Sequence, residues 1–227
     1  MDIEKELLKI IEKKENVFFE IERVLFTKRY NLSKKHYEIF SIQSISMIYS
    51  IWEGFIQQAF QLYIDKINSL NIDCNKLGDE IRIFHIENSF KQFNSYPTNQ
   101  KKKIEFYTNL ENFFSKKQHI IFSHINTQSN VNFNVLNMIL ESFCLIPFEE
   151  YWKNYKHPKP NLKESIKTLV NYRNGIAHGG DINSEEKITQ FVYSKHRTLI
   201  LDLMYEIRNK MIQGIENESY YMNKYDK

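Results

Sequence analysis

Apolar residues recur at every third or fourth position along most of this chain, a spacing that suits helices. Ile3, Leu7, Ile10, Ile11, Val17, Phe18, Ile21, Val24 and Leu25 keep it in the first stretch. Residues 2–28 are therefore predicted to form one long amphipathic helix. Ser33 is placed to cap a second helix. Ile42, Ile45, Tyr49, Trp52, Ile56, Phe60 and Tyr63 carry the apolar face of that helix, to about residue 68. Two long helices joined by a short polar loop predict an antiparallel pair.

Residues 71–131 are less regular. A short helix is expected over 79–93; SYPTNQ breaks the pattern, and KKKIEFYTNLENFF supplies another helix. HIIFSHI (119–125) is a β-branched apolar run that suits either a strand or a buried helical turn, and periodicity does not choose between them. INTQSNVN is a polar loop leading to a helix at 133–143. YKHPKPN separates that helix from the last unit, which reads as a helical hairpin. Leu162, Ile166, Leu169, Val170 and Ala177 share one face of its first helix, and Gly179 and Gly180 end it. Ser184 is the expected cap of the final helix, with Glu185 and Glu186 beside its positive end. Ile188, Phe191, Leu199, Leu203, Ile207 and Met211 form the apolar face there. The expectation is one all-α bundle over residues 1–227, with a less regular insertion around 71–131.

Charge and cysteine usage narrow the function classes. The 31 basic and 28 acidic residues leave a net charge of +3, too balanced to mark a nucleic-acid binder by charge alone, although a local patch would serve. Cys74 and Cys144 fit no metal-ligand spacing and are expected to be free, buried thiols. The N-terminal MDIEKELLKIIEKKE lacks the apolar core of a signal peptide. No apolar run approaches the ~18 residues that span a bilayer. A soluble, cytoplasmic protein with no membrane partner is expected.

One residue contradicts the apolar pattern. With about 100° of rotation per residue and Ile166 at zero, Val170 falls near 40°, Ala177 near 20° and Arg173 near −20°. Arg173 thus lies on the apolar stripe. Burying an unpaired guanidinium costs several kcal/mol, so this arginine needs an acidic partner, a wet cleft or an anionic ligand. Asn174 and His178 fall on one flank of the same stripe, near 80° and 120°. A histidine in a last helical turn is favoured in its protonated form by about 0.3–1 kcal/mol, which suits proton transfer near neutral pH. An arginine paired to a carboxylate and a histidine that merely caps carbonyls account for the same residues.

The string RNGIAH, with Arg173, Asn174 and His178 on the first helix of a C-terminal hairpin, resembles the HEPN superfamily and its Arg-x(4–6)-His motif. YSIWEGFIQQAF (49–60), with its aromatic-Glu-Gly-Phe element, and INTQSNVNFNVL look like segments of the MAE_28990/MAE_18760-like HEPN nucleases. The resemblance implies a HEPN-like helical bundle and a metal-independent endoribonuclease of toxin–antitoxin or phage-defence type, with no cofactor. It implies a homodimer that brings two motif copies into one cleft, an RNA substrate and an antitoxin partner. In that chemistry an RNA 2′-hydroxyl attacks the adjacent phosphate. His178 moves the proton, Arg173 stabilises charge on the phosphoryl oxygens, and Asn174 orients the phosphate or holds His178. Some relatives carry a tyrosine two residues after the histidine that a partner nucleotidyltransferase modifies. Here that residue is Gly180, so that mode of control is not implied. The alternative is a non-catalytic HEPN-like module that binds RNA, a nucleotide or a protein.

Glu53, beside Trp52, either pairs with Arg173, sets the His178 tautomer, or is an ordinary charge at a helix edge. Gly54 is expected to permit close helix approach. Asn126, Ser129 and Asn130 are candidate RNA contacts or turn formers. Lys101, Lys102 and Lys103, with Lys116 and Lys117, either meet an RNA backbone or form a solvated face. The tyrosines and phenylalanines mostly fall at core spacing and are not read as base-stacking platforms.

Overall fold

The computed structural model describes residues 2–116, 120–122, 124–128, 130–152, 161–177 and 188–222. Two long helices open the chain, α1 (Ile3–Phe26) and α2 (Lys34–Ser69). The side chain of Asp2 caps α1 by accepting from the Lys5 amide, and Ser33 caps α2 by accepting from the His36 amide. Then follow α3 (Asp79–Ser89), α4 (Gln100–Phe114), α5 (Phe133–Ser142), α6 (Leu162–Ala177) and α7 (Gln190–Glu216). No strand occurs among the described residues; the fold is all-α.

α2 is the centre of the bundle. It packs against α1, α6 and α7 and buries Trp52, Phe55, Ile56, Phe60 and Tyr63 completely. By length and composition alone α2 could cross a membrane, contrary to the run-length expectation. Its apolar residues here are the core of the bundle. α7 runs antiparallel to α1: Glu4 pairs with Arg208 near one end, and Glu22 with Arg197 near the other. The Tyr193 hydroxyl donates to the Phe18 carbonyl between them, at 2.9 Å. Gly214 lets α7 approach closely, because a Cβ there would lie 2.5 Å from Leu145 Cδ2 and 2.8 Å from the Tyr63 hydroxyl.

Several expectations are corrected. Val17 and Phe191 fit helical spacing yet are exposed. Ala177 is exposed as well, whereas Leu162, Ile166, Leu169 and Val170 are buried. The cap of α7 is Thr189, which accepts from the Val192 amide, five residues beyond Ser184. Ser184 itself lies outside the described residues. A Cβ at Gly54 would meet only Lys14 Nζ at 3.7 Å, so close packing does not require that glycine. Both cysteines are free but only partly buried. Burial and a hydrogen bond to Glu80 push the Cys144 thiol up to about 12.

The run 119–125, where described, is neither strand nor helical turn. Side chains from distant helices satisfy its backbone. Asn68 on α2 accepts from the Ile121 amide and donates to the Ile121 carbonyl, at 2.8 and 3.3 Å. His85 Nδ1 on α3 accepts from the Phe122 amide at 3.0 Å. The described residues between 120 and 131 thereby lie along α2, from Asn68 towards Tyr49.

Candidate functional site

Asn161 precedes α6, and its side-chain oxygen accepts from the Glu164 amide at 2.9 Å. Leu162, Ile166, Leu169 and Val170 press its inner face into the core. The same face carries Arg173 to α2. There the guanidinium carbon lies 5.3 Å from the centroid of the Tyr49 ring. Arg173 Nη1 donates to the Asn174 side-chain oxygen at 3.0 Å, so two of the expected site residues are in direct contact. His178 lies outside the described residues.

The six arginines of the chain show what is unusual about Arg173. Arg23, Arg82, Arg197 and Arg208 each pair with a carboxylate. Arg29 is exposed, over the Tyr30 ring. Arg173 is partly buried and, among the described residues, has no carboxylate partner. An acidic partner was one of three ways to satisfy it, with a wet cleft or an anionic ligand, and the described residues supply no such partner.

Glu53 does not pair with Arg173. Its carboxylate accepts from the Thr127 hydroxyl at 2.6 Å, which ties it to the loop between residues 126 and 131. One turn earlier on α2, the Tyr49 hydroxyl accepts from the Val131 amide at 2.6 Å. The Trp52 indole donates to the Val131 carbonyl at 3.3 Å. Three side chains within about one helical turn therefore hold this loop. Burial pushes the Tyr49 phenol up to about 12, helped by the Glu53 carboxylate and opposed by the Val131 amide and Arg173. The tyrosine is neutral at physiological pH.

Asn126 is a turn former, its side chain accepting from the Gln128 amide at 2.9 Å. Asn130 closes a turn through its amide onto the Thr127 carbonyl, but its side-chain oxygen is buried with no hydrogen-bond partner. Such an oxygen is costly to leave unsatisfied. Ser129 and Lys117 lie outside the described residues. Lys101 and Lys102 are exposed at the start of α4, and Lys103 Nζ lies 5.4 Å from the Tyr96 ring centroid. Tyr96, Tyr107 and Phe93 are about half exposed, exceptions to the expectation that most of the aromatics fall at core positions. The residues missed from sequence are Tyr49 and Thr127. Tyr49 precedes Glu53 by one helical turn, and a phenol at a core-facing position was a visible signal that a polar partner waits there.

The family model for HEPN_MAE_28990-like HEPN matches residues 5–220. The chain belongs to this HEPN family. The match spans α1 to α7 and so includes both the Tyr49–Glu53 turn and the Arg173–Asn174 pair. No curated protein and no solved structure matches the chain. HEPN domains are generally ribonucleases or nucleotide-related proteins, so membership supports RNA or nucleotide chemistry without fixing the reaction.

Proposed function

We propose that this HEPN protein is a metal-independent endoribonuclease in which Arg173, Asn174 and His178 form the catalytic set. The observation that supports it most is Arg173: partly buried, fixed on an aromatic face, and without a carboxylate partner among the described residues. A cation held in that state is suited to a phosphodiester, whose charge grows on the non-bridging oxygens as the transition state forms. The planar guanidinium offers paired N–H donors to two such oxygens. Asn174 holds one edge of the guanidinium.

In the proposed reaction the ribose 2′-hydroxyl gives up its proton to a general base as O2′ bonds to phosphorus. The P–O5′ bond breaks, the 5′-oxygen takes a proton, and a 2′,3′-cyclic phosphate is left. His178 serves one of these transfers. A two-fold homodimer whose interface includes residues 162–178 would supply a second copy of His178 for the other. The biological role proposed is a toxin or phage-defence nuclease, restrained by a partner protein in the cytoplasm. Lys101, Lys102 and Lys103 are proposed as outlying contacts to the RNA backbone. Asn130, a partly exposed residue, is proposed as a further RNA contact.

The test is cleavage of single-stranded RNA in EDTA, with end-group analysis. The wild type should leave cyclic phosphate ends. Arg173→Ala and His178→Ala should lose cleavage with the helical circular dichroism retained. Cleavage only on addition of Mg²⁺, or a His178→Ala variant as fast as wild type, would overturn the proposal. RNA binding by wild type with no cleavage of any RNA would favour the non-catalytic module.

A further inference from the structure

We infer that Tyr49 is the positioning residue of this site: its ring seats the Arg173 guanidinium, and its hydroxyl fixes the loop that carries Asn130. The inference rests on the nuclease reading of Arg173 and deepens it.

Tyr49 is 1% exposed, so packing alone would be served by phenylalanine. The hydroxyl has a separate task. Val131 is fully buried, and its amide must find an acceptor inside the protein. The Tyr49 hydroxyl is that acceptor, at 2.6 Å. The neighbouring residue, Asn130, carries the unsatisfied buried oxygen. The ring has a second task. A carboxylate under Arg173 would fix the guanidinium but neutralise it and occupy its N–H edge. An aromatic face fixes the same group by attraction to the ring quadrupole and uses none of its five N–H donors. Asn174 takes one edge nitrogen, and no other hydrogen-bond acceptor among the described residues takes the rest. One side chain thus sets both the arginine and the loop, which explains why α2 places a tyrosine at this point of its core-facing stripe.

Two variants separate the tasks. Tyr49→Phe keeps the ring and removes the acceptor; Tyr49→Leu removes both. Arg173 side-chain NMR reads the seat, because protons above an aromatic face are shifted upfield. Hydrogen exchange of the Val131 amide reads the loop. Single-turnover cleavage of RNA in EDTA reads the consequence. The upfield shift should persist in Tyr49→Phe and vanish in Tyr49→Leu. Val131 exchange should accelerate in both. The cleavage rate of Tyr49→Leu should fall at least about 10-fold below that of Tyr49→Phe, the factor given by loss of a desolvated cation–π contact.

Arg173 resonances unchanged in Tyr49→Leu, or Val131 exchange unchanged in Tyr49→Phe, would overturn the inference. Should Tyr49→Leu not fold, the wild-type upfield shift and the Tyr49→Phe exchange decide it. The nuclease reading fails separately: a wild type that cuts no RNA while the NMR and exchange results hold would remove the nuclease and leave the positioning role. Cleavage that is equal in the Phe and Leu variants would do the reverse.

Discussion

Replacing Arg173 and Arg197 by methionine should change stability by clearly different amounts. Arg197 pairs with Glu22 across α1 and α7, where the two side chains are 18% and 17% exposed. Glu22 also accepts from Gln190 and Ser194. Removing the guanidinium leaves a mostly buried carboxylate with two neutral donors. Breaking a fully buried pair costs about 3–5 kcal/mol; the partial exposure here lowers that to about 2–4 kcal/mol. Arg173→Met leaves no carboxylate behind among the described residues. It loses a cation–π contact worth about 0.5–2 kcal/mol and a hydrogen bond to a neutral amide worth about 0.5–1.5 kcal/mol. Against this, methionine keeps the packing of the stem, and the cost of holding a partly desolvated cation disappears. The net should lie within about 1 kcal/mol of zero, so the variants should differ by about 3 kcal/mol. Urea unfolding at neutral pH, with equal m values, measures the difference. If Arg173→Met is destabilised as much as Arg197→Met, Arg173 is a structural cation with a partner of its own, and its assignment to a phosphate loses its basis.

Other outcomes follow from single side chains. Gly54→Ala should raise stability by up to ~1 kcal/mol, since the site is helical with room for a methyl. Gly214→Ala should lower it by about 1–3 kcal/mol through the clash with Leu145 and Tyr63; thermal melts read both signs. Burial, with a smaller contribution from Lys195, lowers the His196 pKa from 6.5 to about 4. The fold therefore prefers the neutral ring. Its contribution is intact above the unfolded value and is lost as pH falls from 6.5 through about 4, on the order of 3 kcal/mol in total. His196→Leu should flatten that part of the pH–stability curve. Glu53→Gln keeps an acceptor for Thr127, so it should leave the melting temperature nearly unchanged while slowing RNA cleavage; wild-type cleavage would limit Glu53 to holding the loop.

The long helices were legible because α1 buries Ile3, Leu7, Ile11, Phe18, Ile21 and Leu25 at strict helical spacing. Ser33 announced the second helix for the same local reason. Spacing alone could not tell that Val17 and Phe191 would find no helix above them. Nor could it place the start of α7, where Thr189 and not Ser184 captures an amide. The stretch 120–131 was illegible because its backbone partners are Asn68, His85, Tyr49 and Trp52, 37 to 82 residues away in the chain. Arg173 was visible as a charge on an apolar stripe. Tyr49 was visible only as a core phenol in need of a polar partner, because a tyrosine that packs in a core and a tyrosine that seats an arginine occupy the same helical position. Glu53 was visible, but its partner Thr127 is 74 residues distant, and nothing local selects Thr127 over Arg173.

The central claim is that the site uses the 2′-hydroxyl of RNA as nucleophile, with Arg173 on the phosphate. Its most direct measurement uses an RNA cut at one mapped position and the same strand with 2′-deoxyribose at that nucleotide alone. Both should bind the wild-type protein with similar affinity in EDTA, and Arg173→Ala should weaken both. Only the all-ribose strand should be cut, leaving a 2′,3′-cyclic phosphate. Cutting of the deoxy-substituted strand at that same position and at a comparable rate would contradict the account.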